Sequence, residues 1–256
     1  DTRKQSWGIF VSNLTKSNTV CTLHFKKKIT LIDFITSLSS STENLAYDQT
    51  TDNNLRYVGI NPNNYVFFNN ELWRIIGIMN NIMDSEGNKG SYIKLIRNDS
   101  IGTYSWDNKP SGTGSSVSSN GSNDWNDSTL MEVLNNGAYF NRTKGSCPNE
   151  KNGSTISCDF SETGLTDEAK QMIANVVWNL GGENTSEIQA SEFYKIERGT
   201  NNYGEHKKIW TGQIGLIYPS DYGYAVGENV RENCLTKKLA LYDYNNCAAS
   251  NWLHQY

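Results

Sequence analysis

The sequence predicts an α+β fold, loop-rich and mostly antiparallel, with one main helix packed on the sheet. Three observations lead there. Short β-prone runs separated by turns rich in Asn, Gly and Pro dominate residues 57–97. A longer segment, Thr166 to Leu180, sets Leu165, Ala169, Met172, Ile173, Val176, Val177 and Leu180 at helical spacing. Seven Trp and fourteen Tyr among 256 residues bury large areas per side chain, so a core is within reach although only 36% of the chain is hydrophobic.

From the N-terminus, residues 1–28 read as two strands, Trp7 to Val11 and Val20 to Phe25, around a turn at Asn13 to Asn18. Two strands make no stable sheet alone, so they are expected to end a preceding β domain or to serve as edge strands. Thr30 to Leu38 carries apolar residues at helical spacing with Thr30 as N-cap. The polar run Ser39 to Asn54 makes 29–54 a short helix and linker, with a boundary near residue 54 and the main domain over 55–256. Tyr57 to Ile60 and Tyr65 to Phe68 flank Asn61-Pro62-Asn63-Asn64 as a hairpin. Leu72 to Met79 and Tyr92 to Arg97 continue the meander. The Gly-, Ser- and Asn-rich stretch 105–128 is far longer than an ordinary connector. Ser128 to Leu134 reads as a short helix begun by Asp127 or Ser128. The main helix opens with Asp167 and Glu168, which suit the positive end of its dipole, and ends at Gly181-Gly182. Ile209 to Tyr218 reads as a buried strand stopped by Pro219.

Five cysteines, none in a C-x-x-C pair, argue against a structural zinc site. Cys147 and Cys158 flank a turn-rich stretch, and Cys234 and Cys247 bracket a similar loop, so two short-range disulfides are expected, with Cys21 left over. Closing loops of this size is worth ~3 kcal/mol in the chain-entropy model. Disulfides require an oxidising compartment, which places the protein outside the cell or on its surface. Asp1 is no natural start, so the chain reads as a piece whose targeting segment has been removed. No apolar run reaches the ~18–20 residues of a membrane span, so membrane attachment is expected only through segments outside this sequence. The formal charge of −4 and the single basic cluster Lys26-Lys27-Lys28 give no face for phosphates, which argues against nucleic acid. Seven N-x-[ST] sites, at Asn13, Asn98, Asn120, Asn126, Asn141, Asn152 and Asn184, accompany a composition in which Asn is frequent enough to produce them by chance.

The histidines His24, His206 and His254 lie far apart, and no G-x-S-x-G, H-E-x-x-H or glycine-rich phosphate loop occurs. No catalytic set, metal or cofactor is therefore expected. Asn123 to Asp127 clusters oxygen ligands that suit Ca²⁺, and Trp125-Asn126-Asp127 spells the calcium tripeptide of C-type lectins. The partner Glu-Pro-Asn tripeptide is missing, and Asp127 has a competing role at a helix start. Ligand contact is expected instead from rings in or beside loops: Trp106, Trp125, Tyr222, Tyr224, Tyr242, Tyr244 and Trp252. Flat apolar faces among Asn, Asp and Ser suit sugar or protein recognition, on a face made by 105–128, 219–227 and 242–256.

Several segments together carry a resemblance. They are Tyr57-Val58-Gly59, Asn61 to Val66, Leu72 to Gly77, Ile93 to Ser100, Asn123-Asp124-Trp125 with Leu130-Met131, Gly164-Leu165-Thr166, and Gly215 to Ala225. Over roughly 55–253 the chain resembles a family of uncharacterised domains in secreted multidomain surface proteins of Gram-positive gut bacteria. The resemblance implies an α+β fold related to C-type-lectin-like or formylglycine-enzyme-like cores, and supplies no activity. It also implies that strands following Trp252-Leu253 lie beyond Tyr256. The function expected is a non-enzymatic surface module or adhesin that binds a host glycan or protein, such as a mucin, another glycoprotein or an immunoglobulin. The rivals are an enzyme on a lectin-like scaffold and a structural spacer of a surface stalk.

Overall fold

A computed structural model describes residues 29–108, 121–122, 124–150, 153–180, 187–199, 209–242 and 244–255. The expected strands of 1–28, with Cys21, and the middle of the 105–128 stretch lie outside the described residues. Helix α1 (Leu31–Leu38) starts where expected. Thr30 Oγ1 accepts the Asp33 N–H at 3.1 Å, and the Asp33 carboxylate accepts the Thr30 N–H at 3.4 Å, satisfying two donors that a helix start leaves unpaired.

Strands β1 (Leu45–Tyr47), β2 (Leu55–Tyr57), β3 (Tyr65–Phe68), β4 (Glu71–Met83) and β5 (Lys89–Arg97) form one antiparallel sheet. The stretch expected as a linker therefore holds a strand of the main sheet, and β1 pairs with β2 across the expected boundary. The expected hairpin between 57–60 and 65–68 does not form either. Both β2 and β3 pair with β4, one at Leu55↔Ile78 and the other at Phe68↔Glu71. The tight turn is Asn69-Asn70, with φ of +54° and +61°, a left-handed pair that Asn tolerates and that matches the twist of a two-residue hairpin. Gly77 is needed where β2 crosses β4, because a Cβ there would sit 2.4 Å from the Leu55 carbonyl oxygen.

Alternation gives the sheet two apolar faces. On one, Leu55, Tyr57, Ile75 and Ile78 pack with Leu45 and with Ile35 of α1. On the other, Ile76 and Met79 pack against Ala225, Trp252 and Leu253. A third cluster lies beyond the sheet. Helix α2 (Thr129–Asn135) is capped by Ser128, whose hydroxyl accepts the Met131 N–H at 3.1 Å. With β6 (Lys144–Pro148) and β7 (Thr155–Asp159) it encloses Trp125, Tyr139, Phe160 and Leu165.

The main helix is shorter than the pattern predicts. Helix α3 (Asp167–Met172) begins after Thr166 as cap and stops at Met172. Val176–Asn179 is instead strand β8, paired with β9 (Ile209–Gly212) from Val176↔Gly212 to Asn179↔Ile209. Ile173, Val176 and Val177 are β-branched and sit at helical spacing only by coincidence; a ladder partner far along the chain decides the matter. Residues 213–218 lie outside any helix or strand, so the expected long strand is four residues. Pro219 does not end a strand but opens helix α5 (Pro219–Tyr224), following α4 (Ala190–Arg198) and preceding α6 (Glu228–Leu235). Both expected disulfides are present, Cys147–Cys158 and Cys234–Cys247, with Cα separations of 5.8 and 5.7 Å. They fit an oxidising environment. Among the described residues no helix is long and apolar enough to cross a membrane.

Candidate functional site

The rings expected to meet a ligand divide into two groups. Trp125 is 5% exposed and stacks between Trp106, at 5.2 Å, and Trp210, at 6.0 Å. Tyr224 and Trp252 are also interior. The Trp252 indole is fully buried, its N–H donates to the Tyr57 carbonyl at 2.9 Å, and the Arg74 guanidinium lies 4.5 Å from its ring centre. These three rings have their partners inside the fold and offer no surface. Tyr222, Tyr242 and Tyr244 do come together, gathered around His254. Tyr222 and Tyr242 are 5.9 Å apart, Tyr244 and His254 5.5 Å, and the Tyr222 hydroxyl is 3.1 Å from His254 Nδ1. Trp106 is the partly exposed ring of the long stretch, whose ends are fastened. Asp107 accepts the Ser122 N–H at 2.7 Å and the Thr129 N–H at 3.2 Å, and the Asn108 amide donates to the Asn149 carbonyl at 3.2 Å. The lectin-like tripeptide holds Trp125 in the core, while the cap of α2 is Ser128 rather than Asp127. Among the described residues no three His, Cys, Asp or Glu side chains group to hold a metal.

The strongest concentration of chemistry lies elsewhere, in a cleft of about 1440 Å³ that runs along β5 and is walled by β3, β4 and the β8–β9 hairpin together with residues of α1, α4 and 213–218. Its base is a chain of buried charges. Asp48 accepts Arg56 Nε at 2.8 Å, Arg56 Nη1 reaches Asp221 Oδ1 at 2.8 Å, and Lys94 Nζ reaches Asp221 Oδ2 at 2.5 Å. Local sequence explains the placement. Arg56 and Lys94 point from strands β2 and β5 toward the face that α5 covers. Asp221 sits in the first turn of α5, where it also accepts the Tyr218 N–H at 3.1 Å. Burial opposes ionisation of Asp221, but the Lys94 ammonium and the Arg56 guanidinium outweigh it and hold the carboxyl down at about 2. Burial likewise works against the Arg56 charge, and Asp221 and Asp48 overcome it, so its pKa rises. Lys94 is further held over the Tyr218 ring, at 4.2 Å, and the Trp178 ring, at 5.2 Å.

Glu197, in the last turn of α4, is 5% exposed. It accepts the Ser220 N–H at 3.0 Å and the Ser220 hydroxyl. Burial, and then the negative charge of Asp221, push its carboxyl up to about 7, against the pull of the Ser220 bonds and Lys94. A proton therefore enters or leaves this buried group near neutral pH. None of Asp48, Arg56, Lys94, Glu197 or Asp221 was among the expected site residues. The available signal was a single charge within an apolar strand run: Arg56 between Leu55 and Tyr57, Lys94 between Ile93 and Leu95.

With this geometry in view, comparison with protein-family models, curated proteins and solved structures finds no match to the chain. The site is therefore read on its own chemistry.

Glu197 makes the stability depend on pH in a defined direction. Its carboxyl rises from an ordinary 4.5 to about 7 on folding. A group raised in this way contributes stability that is full below its unfolded value and is lost as pH climbs through its folded value. The difference amounts to about 3 kcal/mol between pH 4 and pH 8. Glu197→Gln keeps an acceptor for the Ser220 N–H and removes the titration. Urea unfolding at pH 5, 6, 7 and 8 is expected to show the parent weakening across this window and the variant nearly flat. The variant should be the more stable by about 2 kcal/mol at pH 8. Parallel profiles would mean that Glu197 is ionised throughout.

Proposed function

We propose that the chain is a ligand-binding module of an exported surface protein and that its ligand seats in the cleft beside β5. The observation that carries this reading is the cleft itself. At about 1440 Å³ it exceeds the roughly 300–1,000 Å³ usual for small-molecule sites, and its walls are mainly apolar, with the Lys94–Asp221–Glu197 group at its base. Walls of that kind suit a protein partner better than a free sugar. Membership in the surface-domain family and a host protein or glycoprotein as ligand accord with the two disulfides. The Tyr222–Tyr242–Tyr244–His254 group is then a secondary platform on the same molecule.

One feature favours an enzyme: the Glu197 carboxyl, pushed up to about 7 by burial, accepts a serine hydroxyl. Against it, Ser220 is 1% exposed and already donates to Glu197, and Lys94 and Asp221 neutralise each other. These groups read as a satisfied network beneath a binding surface.

Leu216, 41% exposed on the cleft wall, gives the test. Leu216→Arg places a charge in the cleft without touching the core. Surface plasmon resonance against immobilised mucin, immunoglobulin and a glycan panel is expected to give binding by the parent and at least tenfold weaker binding by the variant, at unchanged melting temperature. Equal binding by both proteins would move the site away from the cleft, and the aromatic platform would take its place.

A further inference from the structure

Among the described residues strand β5 lies at the edge of the sheet, because β2 and β3 share one side of β4 and β5 takes the other. The direction of its backbone groups follows from the ladder. Ile75 spends both main-chain groups on Asn64: its N–H donates to the Asn64 carbonyl at 2.8 Å and its carbonyl accepts the Asn64 amide at 2.7 Å. Leu95, directly opposite Ile75, therefore directs its N–H and C=O away from β4. At the other register, the Asn98 N–H donates to the Leu72 carbonyl at 3.2 Å. Counting by twos along β5, Ile93, Leu95 and Arg97 present their backbone groups to the outer edge. The register shifts fall on β4 and leave this alternation intact. Among the described residues no backbone hydrogen bond joins that edge to another element.

This edge does not face open solvent. Every residue from Ser91 to Arg97 lines the cleft. Consecutive side chains of a strand point to opposite faces, so a cleft that touches all of them runs along the strand's edge. The cleft is also lined by Gly215, Leu216 and Ile217, a stretch outside any helix or strand whose own main chain makes no backbone hydrogen bond among the described residues. The outer main-chain edge of β5 thus opens into a mainly apolar gap. A polypeptide in extended conformation supplies what this edge lacks: N–H and C=O partners along β5, with side chains alternating toward the apolar walls.

We infer that β5 is a strand-addition site, and that the ligand is an extended, apolar segment of another protein that pairs with the Ile93–Leu95–Arg97 edge inside the cleft. This rests on the cleft reading above and narrows it to main-chain recognition of polypeptide.

The probe is a capped heptapeptide of alternating valine and threonine. Beside it goes a copy N-methylated at two neighbouring central residues, which removes a donor from each edge. Amide hydrogen exchange on the whole chain is the primary readout. The unmethylated peptide is expected to slow exchange at Ile93, Leu95 and Arg97 by at least tenfold, leaving Lys94 and Ile96, already bonded to β4, unchanged. The methylated copy should bind at least tenfold more weakly, and Leu216→Arg should abolish protection. Absence of binding at millimolar peptide overturns the inference. So does binding that the arginine blocks but methylation leaves intact; in that case the cleft stands as a site and strand pairing does not. Protection of these three amides without peptide also overturns it, by showing another occupant. That occupant is a second copy if protection rises with protein concentration, and a segment of the same chain if it does not.

Discussion

Asp221→Ala is expected to cost about 3–5 kcal/mol of folding stability, enough to leave little of a typical domain's margin. The carboxylate is the meeting point of two cations, Arg56 and Lys94, and its own side chain is 2% exposed. Removing it leaves Arg56, also 2% exposed, with Asp48 as its remaining acidic partner among the described residues, and leaves Lys94 with the Tyr218 and Trp178 rings and the Glu197 carboxyl. Arg56 cannot reach water without opening the sheet, so most of the loss is the desolvation of its uncompensated charge rather than the absence of one attraction. Asp221→Asn, which retains shape and an acceptor oxygen, should lose less than the alanine variant. The pH signature is opposite in sign to that of Glu197. A carboxyl held at about 2 contributes stability that is present above its ordinary 3.8 and is lost as pH falls toward its folded value. Urea unfolding by circular dichroism at pH 7 and pH 3 measures both effects. A loss below 1 kcal/mol at pH 7 for the alanine variant would mean that the network behaves like a surface pair.

What the sequence disclosed follows the range of the interactions involved. The cap at Thr30, and the choice of Ser128 or Asp127 for α2, are legible because a side chain serving an N–H three residues on is a local event. The two disulfides are legible for the same reason, each closing a loop of 11 or 13 residues. The fate of Val176–Asn179 is not local. Its apolar residues satisfy a helical period, and only a partner strand some thirty positions later makes it β. The β3–β4 turn was open to reading, since Asn69-Asn70 is a pair suited to positive φ, but the Pro-containing run at 61–64 drew the hairpin to the wrong place. The cleft's charges were hidden most deeply. Asp48 and Asp221 are far apart along the chain, and both depend on Arg56, whose burial is a property of the layers above and below it. The ring-based site was half legible for a related reason: a Trp beside polar neighbours in sequence can still point inward, as Trp125 and Trp252 do.

Trp252→Ala is expected to destabilise the protein by about 3–5 kcal/mol, the range for emptying the site of a large buried aromatic. The residue closes the sheet face that carries Ile76 and Met79, and it is held from three sides. Its indole N–H donates to the Tyr57 carbonyl at 2.9 Å, its backbone N–H donates to the Gly59 carbonyl at 2.8 Å, and the Arg74 guanidinium lies over the ring. Alanine keeps the backbone bond, leaves the Tyr57 carbonyl without its indole donor, and opens a cavity against Leu253 and Ala225. Trp252→Phe separates the contributions: it retains most of the apolar contact and loses the hydrogen bond, so its cost should fall nearer 1–2 kcal/mol. Thermal and urea unfolding of the three proteins give the comparison. A ligand-contacting tryptophan would behave differently, with stability near that of the parent and a loss confined to binding. If Trp252→Ala unfolds within 0.5 kcal/mol of the parent, the indole is not the keystone of this face, and its burial against β4 is incidental. If instead stability falls while Leu216→Arg alone weakens binding at unchanged stability, core and ligand surface are separate layers of the same sheet. The tryptophan then acts on recognition only by holding β4, and through it β5, in place.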